Sequence, residues 1–289
     1  YNLTVGTDNL FFGRNAGKCL TTGCYNLSFG KDSGRGSGSN NVFLGHYAGF
    51  GVSGSGDHNI AMGFLSLASG SASTAEYNIA LGFASADKIT TGDYNISIGA
   101  NSLRCNTTGS NNIAIGHMAI CGDGSNAAVA DSNIAIGQCS LKKVCTGKKN
   151  LAIGIQPMCD LTTGCYNIAF GINAGRANQS GNQNIYMGWY AGCDRTSGDG
   201  NIAMGRSALQ GSGTISGEHN VAIGNYAGEC VSTGDHNVYI GCGAGKDSTS
   251  GCCNVILGIL AGTNLTSGND NVIIGSSTGS GGVITGADN

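Results

Sequence analysis

The chain has 289 residues, among them 52 Gly and a single Pro, with 11% charged residues and a net charge of −3. So little charge beside 40% hydrophobic content excludes a disordered polymer, which needs the opposite balance. The sequence carries no basic patch, which excludes nucleic acid as an expected partner. No apolar stretch approaches the ~20 residues of a membrane span.

In chain order, a five-residue unit, Asn–aliphatic–x–apolar–Gly, begins at Asn9, Asn26, Asn41, Asn59, Asn78, Asn95, Asn112 and Asn133. It returns at Asn150, Asn167, Asn184, Asn201, Asn220, Asn237, Asn254 and Asn271, and ten of the fifteen intervals are 17 residues. Counting each Asn as position 1, position 2 is Ile, Leu or Val, position 4 is Ile, Leu, Met or Phe, and position 5 is always Gly. Position 3 is mostly Ala or Ser, so hydrophobic size alternates with period two, the mark of a strand with one buried face. The expectation is that positions 2 and 4 point inward and position 3 outward. Gly at position 5 permits a turn that a Cβ resists.

A small residue follows at position 8 (Ala16, Ala48, Ser102, Ala227), then Gly, Leu, Ile or Met. A Thr/Ser–Gly pair such as Thr22–Gly23 or Thr163–Gly164 precedes the next Asn, with Ala75 and Ala130 replacing that Gly twice. Each repeat therefore reads as two short strands and two turns. One repeat cannot bury its apolar face alone, so coils must stack. The predicted fold is all-β: a parallel β-solenoid of about sixteen 17-residue coils, one continuous repeat domain over residues 1–289. At ~4.8 Å per stacked strand it would form a rod on the order of 75 Å long. The Asn column reads as structural, through left-handed turns and stacked amides.

Units such as Asn112–Gly116, Asn133–Gly137 and Asn220–Gly224 resemble the head repeats of YadA-type trimeric autotransporter adhesins, and are similar to virus and phage fibre-like Asn-x-Ala-Ile-Gly repeat proteins. The resemblance implies a left-handed parallel β-roll, three chains associating side by side, and an extracellular, cell-surface or virion-surface location. This repeat is longer than the adhesin-head repeat and is unusual in its cysteines.

Other features are read from the residues alone. Thirteen Cys point to an oxidising compartment. Cys19/Cys24, Cys139/Cys145 and Cys159/Cys165 fall within single coils and Cys105/Cys121 on neighbouring ones, all candidates for disulfides. Sequons at Asn2, Asn26, Asn95, Asn106, Asn178 and Asn264 are candidate glycosylation sites for a secreted chain. Asp57, Glu76 and Asp93, then Asp199, Glu218 and Asp235, occupy one column on successive coils. Their mutual repulsion makes them candidate ladders for a cation such as Ca²⁺, and His219 and His236 beside the second run admit a transition metal. Insertions at 49–56, 67–75, 121–130 and 209–217 lie on one side of the repeat. Nearby Tyr47, Phe64, Phe83, Trp189, Tyr190 and Tyr226 form a candidate binding surface for sugar rings or a sister chain. Phe11, Phe43, Tyr186, Tyr239, Ile256 and Ile273 at position 3 are expected outside, as a partner surface.

No nucleophile motif, phosphate loop or metalloprotease signature occurs, so no enzyme is expected. The primary functional expectation is a structural segment of an extracellular or virion fibre or filament, with the chain associating with itself as an oligomer. The alternative is an adhesin head that binds a glycan or receptor. A fibre-borne polysaccharide depolymerase and an ice-binding protein are remote readings. The pattern runs to both ends, which predicts a longer natural chain.

Overall fold

The computed structural model describes residues 6–36, 38–51, 56–70, 73–122, 129–211 and 215–279. The four insertions fall partly, and Asn2 wholly, outside these residues. The chain divides into two units, residues 1–149 and 150–289. In the first, eight three-residue strands from β1 (Leu10–Phe12) to β8 (Ile134–Ile136) follow one another in parallel order. The second repeats this with eight strands from β9 (Leu151–Ile153) to β16 (Val272–Ile274). The fold is thus an all-β solenoid with no helix among the described residues.

Each strand is positions 2–4 of the repeat, and pairing is in register: Ile96 lies against Ile113, Ser97 against Ala114, Ile98 against Ile115. The register holds where intervals lengthen, as between Ile113–Ile115 and Ile134–Ile136, because extra residues leave the coil after its strand. One expectation is corrected here. Each coil carries one named strand, not two; the remaining residues are a series of turns, knitted to the next coil by bonds such as Leu103 N–H to Ala119 O at 2.9 Å.

The turns are left-handed at fixed places. The residue before each Asn has φ of 55–61° at all fifteen non-glycine positions, whatever its side chain: Tyr77 57°, Lys149 57°, His236 57°. At position 5 the glycines have φ of 125–140°, a region only Gly enters freely. A Cβ there would also meet the next coil's backbone, 2.6 Å from Gly116 O in the case of Gly99.

The invariant Asn serves to join coils. Asn95 Oδ1 accepts the backbone N–H of Asn112 at 3.0 Å and its side-chain Nδ2 at 3.0 Å. Asn112 Nδ2 also donates to Ala130 O at 2.8 Å, closing its own coil. The same pattern recurs at Asn184, Asn201, Asn220 and Asn237. The Asn side chains are buried, and each polar atom is used, as burial requires.

The inside and the outside of the strand are the reverse of the expectation. Position 3 points inward: Ala61, Ala80, Ala114, Ala203, Tyr186, Tyr239 and Ile256 are fully buried and Phe43 nearly so. Phe11 and Ile273, on the first and last strands, are partly covered. Positions 2 and 4 face outward; 11 of their 32 residues are exposed and the rest are partly covered. The reason is volume. Position 3 shares a narrow interior with positions 8, 9 and 12, and there is room for about one bulky side chain per coil near the strand. In six coils whose position 3 is Ala or Ser, position 9 supplies Leu67, Leu103, Ile120, Leu141, Met158 or Leu209, each buried to 1% or less. Ala80 stands with Ala86, and Ser28, Ala169 and Ala222, each one coil before an aromatic position 3, stand with Gly34, Gly175 and Gly228. Where position 3 is aromatic, position 9 is Gly. A Cβ on Gly49 would lie 2.4 Å from Phe43 Cδ1, and one on Gly192 2.3 Å from Tyr186 Cδ1. The aromatic ring also claims space in the preceding coil, since a Cβ on Gly175 would lie 2.4 Å from Tyr186 Cδ2.

Candidate functional site

Because the small residues turn inward, the large aliphatics of positions 2 and 4 form two parallel columns on the outside of each unit's sheet. Exposure reaches 37% at Ile60, 42% at Met62, 39% at Ile223 and 41% at Ile240 within the stack, and 60–65% at Leu10, Phe12, Val272 and Ile274, while most other members of the columns are partly covered. Sixteen such positions per unit, each leaving tens of Å² open, give up to about 1,000 Å² of apolar surface, comparable with the ~800 Å² that each partner contributes to a standard protein interface. Contiguous apolar surface of this extent marks an interaction face.

The aromatic candidates gather in two places. In the first unit His46 stacks on Tyr47 (4.2 Å between centroids), Tyr47 meets Phe50 edge-on (5.1 Å), and Phe64 stacks on Phe83 (5.7 Å). In the second, Trp189, Tyr190 and Tyr226 line an open groove of about 300 Å³ with Arg206, Gln210 and Glu229. The Arg206 guanidinium lies 4.5 Å from the Trp189 ring and 5.4 Å from the Tyr226 ring, and Lys246 pairs with Glu229 at 3.5 Å. A third aromatic column went unnoticed in the sequence: His58, Tyr77 and Tyr94 stack at 4.7 and 4.9 Å, within 5° of parallel. These are residues preceding Asn, whose shared left-handed backbone aims successive side chains alike. Phe64–Phe83, His58–Tyr77, Tyr77–Tyr94 and Trp189–Arg206 join successive coils face to face. Such stacks strengthen coil-to-coil cohesion.

The acidic runs work as backbone acceptors. Asp57 takes the N–H of Ser39 at 2.7 Å, Asp93 that of Glu76 at 2.8 Å, Asp199 that of Asn182 at 2.7 Å, and Asp235 that of Glu218 at 2.7 Å. Ser110 and Asn269 do the same in this column, so its need is for an acceptor and not for charge. His219 and His236 stack at 5.0 Å. No group of three His, Cys, Asp or Glu side chains is gathered to hold a metal ion among the described residues; in this column the four Asp carboxylates accept backbone N–H groups.

In this structure no S–S bond joins Cys19 to Cys24, Cys139 to Cys145, Cys159 to Cys165 or Cys105 to Cys121. Within a coil, the chain turns between the two partners and gives each sulfur a different setting. Cys24 and Cys165 sit in the acceptor column two residues before Asn. There each Sγ donates to a carbonyl two residues back, Thr22 O at 3.7 Å and Thr163 O at 3.4 Å. Cys24 Sγ also accepts the Thr7 N–H at 3.4 Å, while Cys19 is exposed on the far side of buried Leu20. Cys139 is buried at position 7, whereas Cys145 is half-buried at position 13, where its carbonyl accepts the Val129 N–H at 2.8 Å. Cys105 and Cys121 are neighbours on adjacent coils, with Cys105 N–H donating to Cys121 O at 3.0 Å. Burial raises the Cys121 thiol, and the Cys105 sulfur beside it adds to that. Cys193 is pushed up to about 12, by burial first and then by Asp194.

Of the sequon asparagines, Asn26, Asn95, Asn106 and Asn178 are buried. The first two belong to the Asn ladder, and Asn106 Oδ1 accepts the N–H of Gly109 at 2.9 Å. The folded chain therefore offers no glycan acceptor at these four; Asn264 is half-buried.

One polar group was missed by sequence reasoning altogether. Arg195 stands at position 12, filled in other coils by apolar Leu20, Ile89, Val144, Leu161, Val231 and Leu265 or by small polar Asn106, Asn178 and Ser248, and it is fully buried. The sign was present as a charged residue in a column otherwise free of charge among the described residues. Comparison of the chain with protein-family models, curated proteins and solved structures finds no match.

Proposed function

We propose that the chain is a structural repeat segment of an extracellular or virion fibre, which associates with further copies of itself through its outward aliphatic columns. The observation that carries this reading is the pair of in-register aliphatic columns at positions 2 and 4, left partly open along each unit. A second copy is the partner that fits, because its columns repeat at the same coil spacing and carry the same side chains. Apolar burial at ~25 cal/mol per Å² over up to about 1,000 Å² per unit is ample to drive such an association. The resemblance to YadA-type head repeats favours three chains side by side. The stacked rings add to this reading, since their faces already serve cohesion between coils. The reading assigns no catalytic step to the chain.

Sedimentation equilibrium tests the proposal, with wild type compared against Ile223→Lys/Ile240→Lys. Wild type is expected to sediment as an oligomer at micromolar concentration. The double variant should retain the circular dichroism of the fold and sediment as a monomer. A wild-type monomer at high micromolar concentration would refute the proposal.

The groove of Trp189, Arg206 and Tyr226 supports a second reading, an adhesin that binds a glycan or receptor. Trp189 is the only Trp in the chain, so its fluorescence reports that groove directly. A saturable shift of Trp189 emission with an oligosaccharide, lost in Arg206→Ala, would favour adhesion.

A further inference from the structure

The interior of the second unit holds a positive charge without a partner of opposite sign. Arg195 is fully buried. Its Nη2 donates to Gly217 O, an oxygen that also accepts Asn201 Nδ2 at 3.0 Å. Its Nε and Nη1 have no partner. Two further orphans belong to the same coil or the one before. The Tyr186 hydroxyl, fully buried at position 3 of the Arg195 coil, is unpaired, and so is Asn178 Nδ2, at position 12 of the preceding coil. The amide orientation of Asn178 is fixed, because its Oδ1 takes the Gly181 N–H at 2.8 Å.

The comparable coil shows what a satisfied interior looks like. Tyr239, at the same position as Tyr186, donates its hydroxyl to Ser248 Oγ at 2.9 Å, and Ser248 holds position 12. Around Tyr186 position 12 is Arg195, which can only donate. Three of the four orphans, two guanidinium nitrogens and one amide nitrogen, can only donate, and the fourth, the Tyr186 hydroxyl beside the guanidinium, can donate as well as accept. No carboxylate closes the balance. Asp199 and Asp235, the acidic residues whose charge reaches the pair, lie in the turn before the Asn, where each accepts a backbone N–H at 2.7 Å. Tyrosinate is no substitute. Burial pushes Tyr186 up to about 12 even though the Arg195 guanidinium stands beside it and opposes that rise, and the two side chains make no hydrogen bond of proper geometry. A buried unpaired cation carries a large desolvation penalty.

We infer that the Arg195–Tyr186–Asn178 cluster is a binding site for a small monovalent anion, chloride, enclosed in the core as the coils close. The chemistry selects an acceptor-only guest. Water would bring two protons of its own, and the carbonyl that accepts from the Arg195 guanidinium, Gly217 O, already has two donors. Chloride takes several donors at once and cancels the guanidinium charge. The site is independent of the outward face and its role is structural, tying position 3 of one coil to position 12 of two.

The test is halide-dependent stability. The whole chain is refolded and then unfolded by heat in sodium gluconate with added chloride or bromide at constant ionic strength. Above the dissociation constant, each tenfold rise in halide should raise the midpoint by about 2 °C, from a stabilisation of ~1.4 kcal/mol per decade. Arg195→Met should abolish the halide response, and Tyr186→Phe should weaken halide affinity severalfold. Equal midpoints in gluconate and chloride, or a response that persists in Arg195→Met, would overturn the inference and leave ordered water as the guest. Should Arg195→Met fail to fold, crystals of the wild-type chain grown in bromide decide the matter. An anomalous bromine peak against the Arg195 guanidinium supports the site, and its absence there refutes it.

Discussion

The interior volume rule makes a quantitative prediction at Phe43 and Gly49. Phe43→Ala alone empties the volume of a buried ring, at about 3–5 kcal/mol. Gly49→Leu alone places a Cβ 2.4 Å from the Phe43 ring. Overpacking costs about 1–3 kcal/mol, and a side chain on a backbone with φ of 63° adds about 1–2 kcal/mol. Additive effects would give the double variant a loss of roughly 5–10 kcal/mol. The double variant, however, reproduces the next coil, where Ala61 faces the interior and Leu67 fills it from a left-handed position with φ of 49°. Its loss should be only about 1–3 kcal/mol, chiefly the backbone strain, so a coupling of about 3 kcal/mol or more favours the pair. Urea unfolding of the four chains, followed by circular dichroism, measures the cycle. A double variant whose loss equals the sum of the singles would refute the one-bulky-residue rule.

Three other outcomes can be checked with modest effort. Asn112→Leu strips Asn133 N–H and Nδ2 of their acceptor and should cost about 2–4 kcal/mol, whereas Asn111→Gly, one residue away with φ of 60°, should be neutral or stabilising in the same melts. Alkylation of the native chain at pH 8 should label exposed Cys19, Cys242 and Cys253 quickly, and buried Cys105, Cys139 and Cys193 only on unfolding; peptide mass spectrometry reads the order. Burial raises Asp87, with Arg104 opposing it, and its Oδ1 has no partner. The folded chain therefore holds that proton more tightly than the unfolded one, so the contribution is greatest below 3.8, its ordinary value, and is lost as pH rises through the raised folded value. Asp87→Asn should raise the unfolding midpoint at pH 7 relative to wild type and flatten its slope between pH 3 and 7.

The architecture was legible because repetition is self-checking: sixteen copies of Asn and Gly at fixed positions admit few folds besides stacked coils. The direction of the strand faces was not legible from alternation. Period two separates the faces without saying which is inside, and two aliphatics outweigh one Ala on hydrophobicity alone. The information lay in a pairing between distant positions. Phe43 with Gly49 and Tyr186 with Gly192 stand against Ala61 with Leu67 and Ala203 with Leu209, a size compensation that only shared interior space demands. The acidic columns have a positional origin of the same kind. Asp93 and Asp235 recur by position, and so do Ser110 and Asn269, which accept the same backbone bond without charge. Cys24 and Cys165 stand in that same column, so their spacing from Cys19 and Cys159 follows from the repeat. The Trp189–Arg206 contact joins position 6 of two successive coils, a stacking that the spacing predicts once register is known.

The central claim, that the outward aliphatic columns are covered by further copies of the chain, is tested most directly by hydroxyl-radical footprinting of methionine. Met62, Met187 and Met204 sit at position 4 of their coils and are 36–42% exposed, while Met158 is fully buried. In assembled protein the first three should be protected relative to chain diluted to monomer, with Met158 silent in both and Trp189 oxidised in both. Equal oxidation of Met62, Met187 and Met204 in assembled and dilute protein would contradict the account.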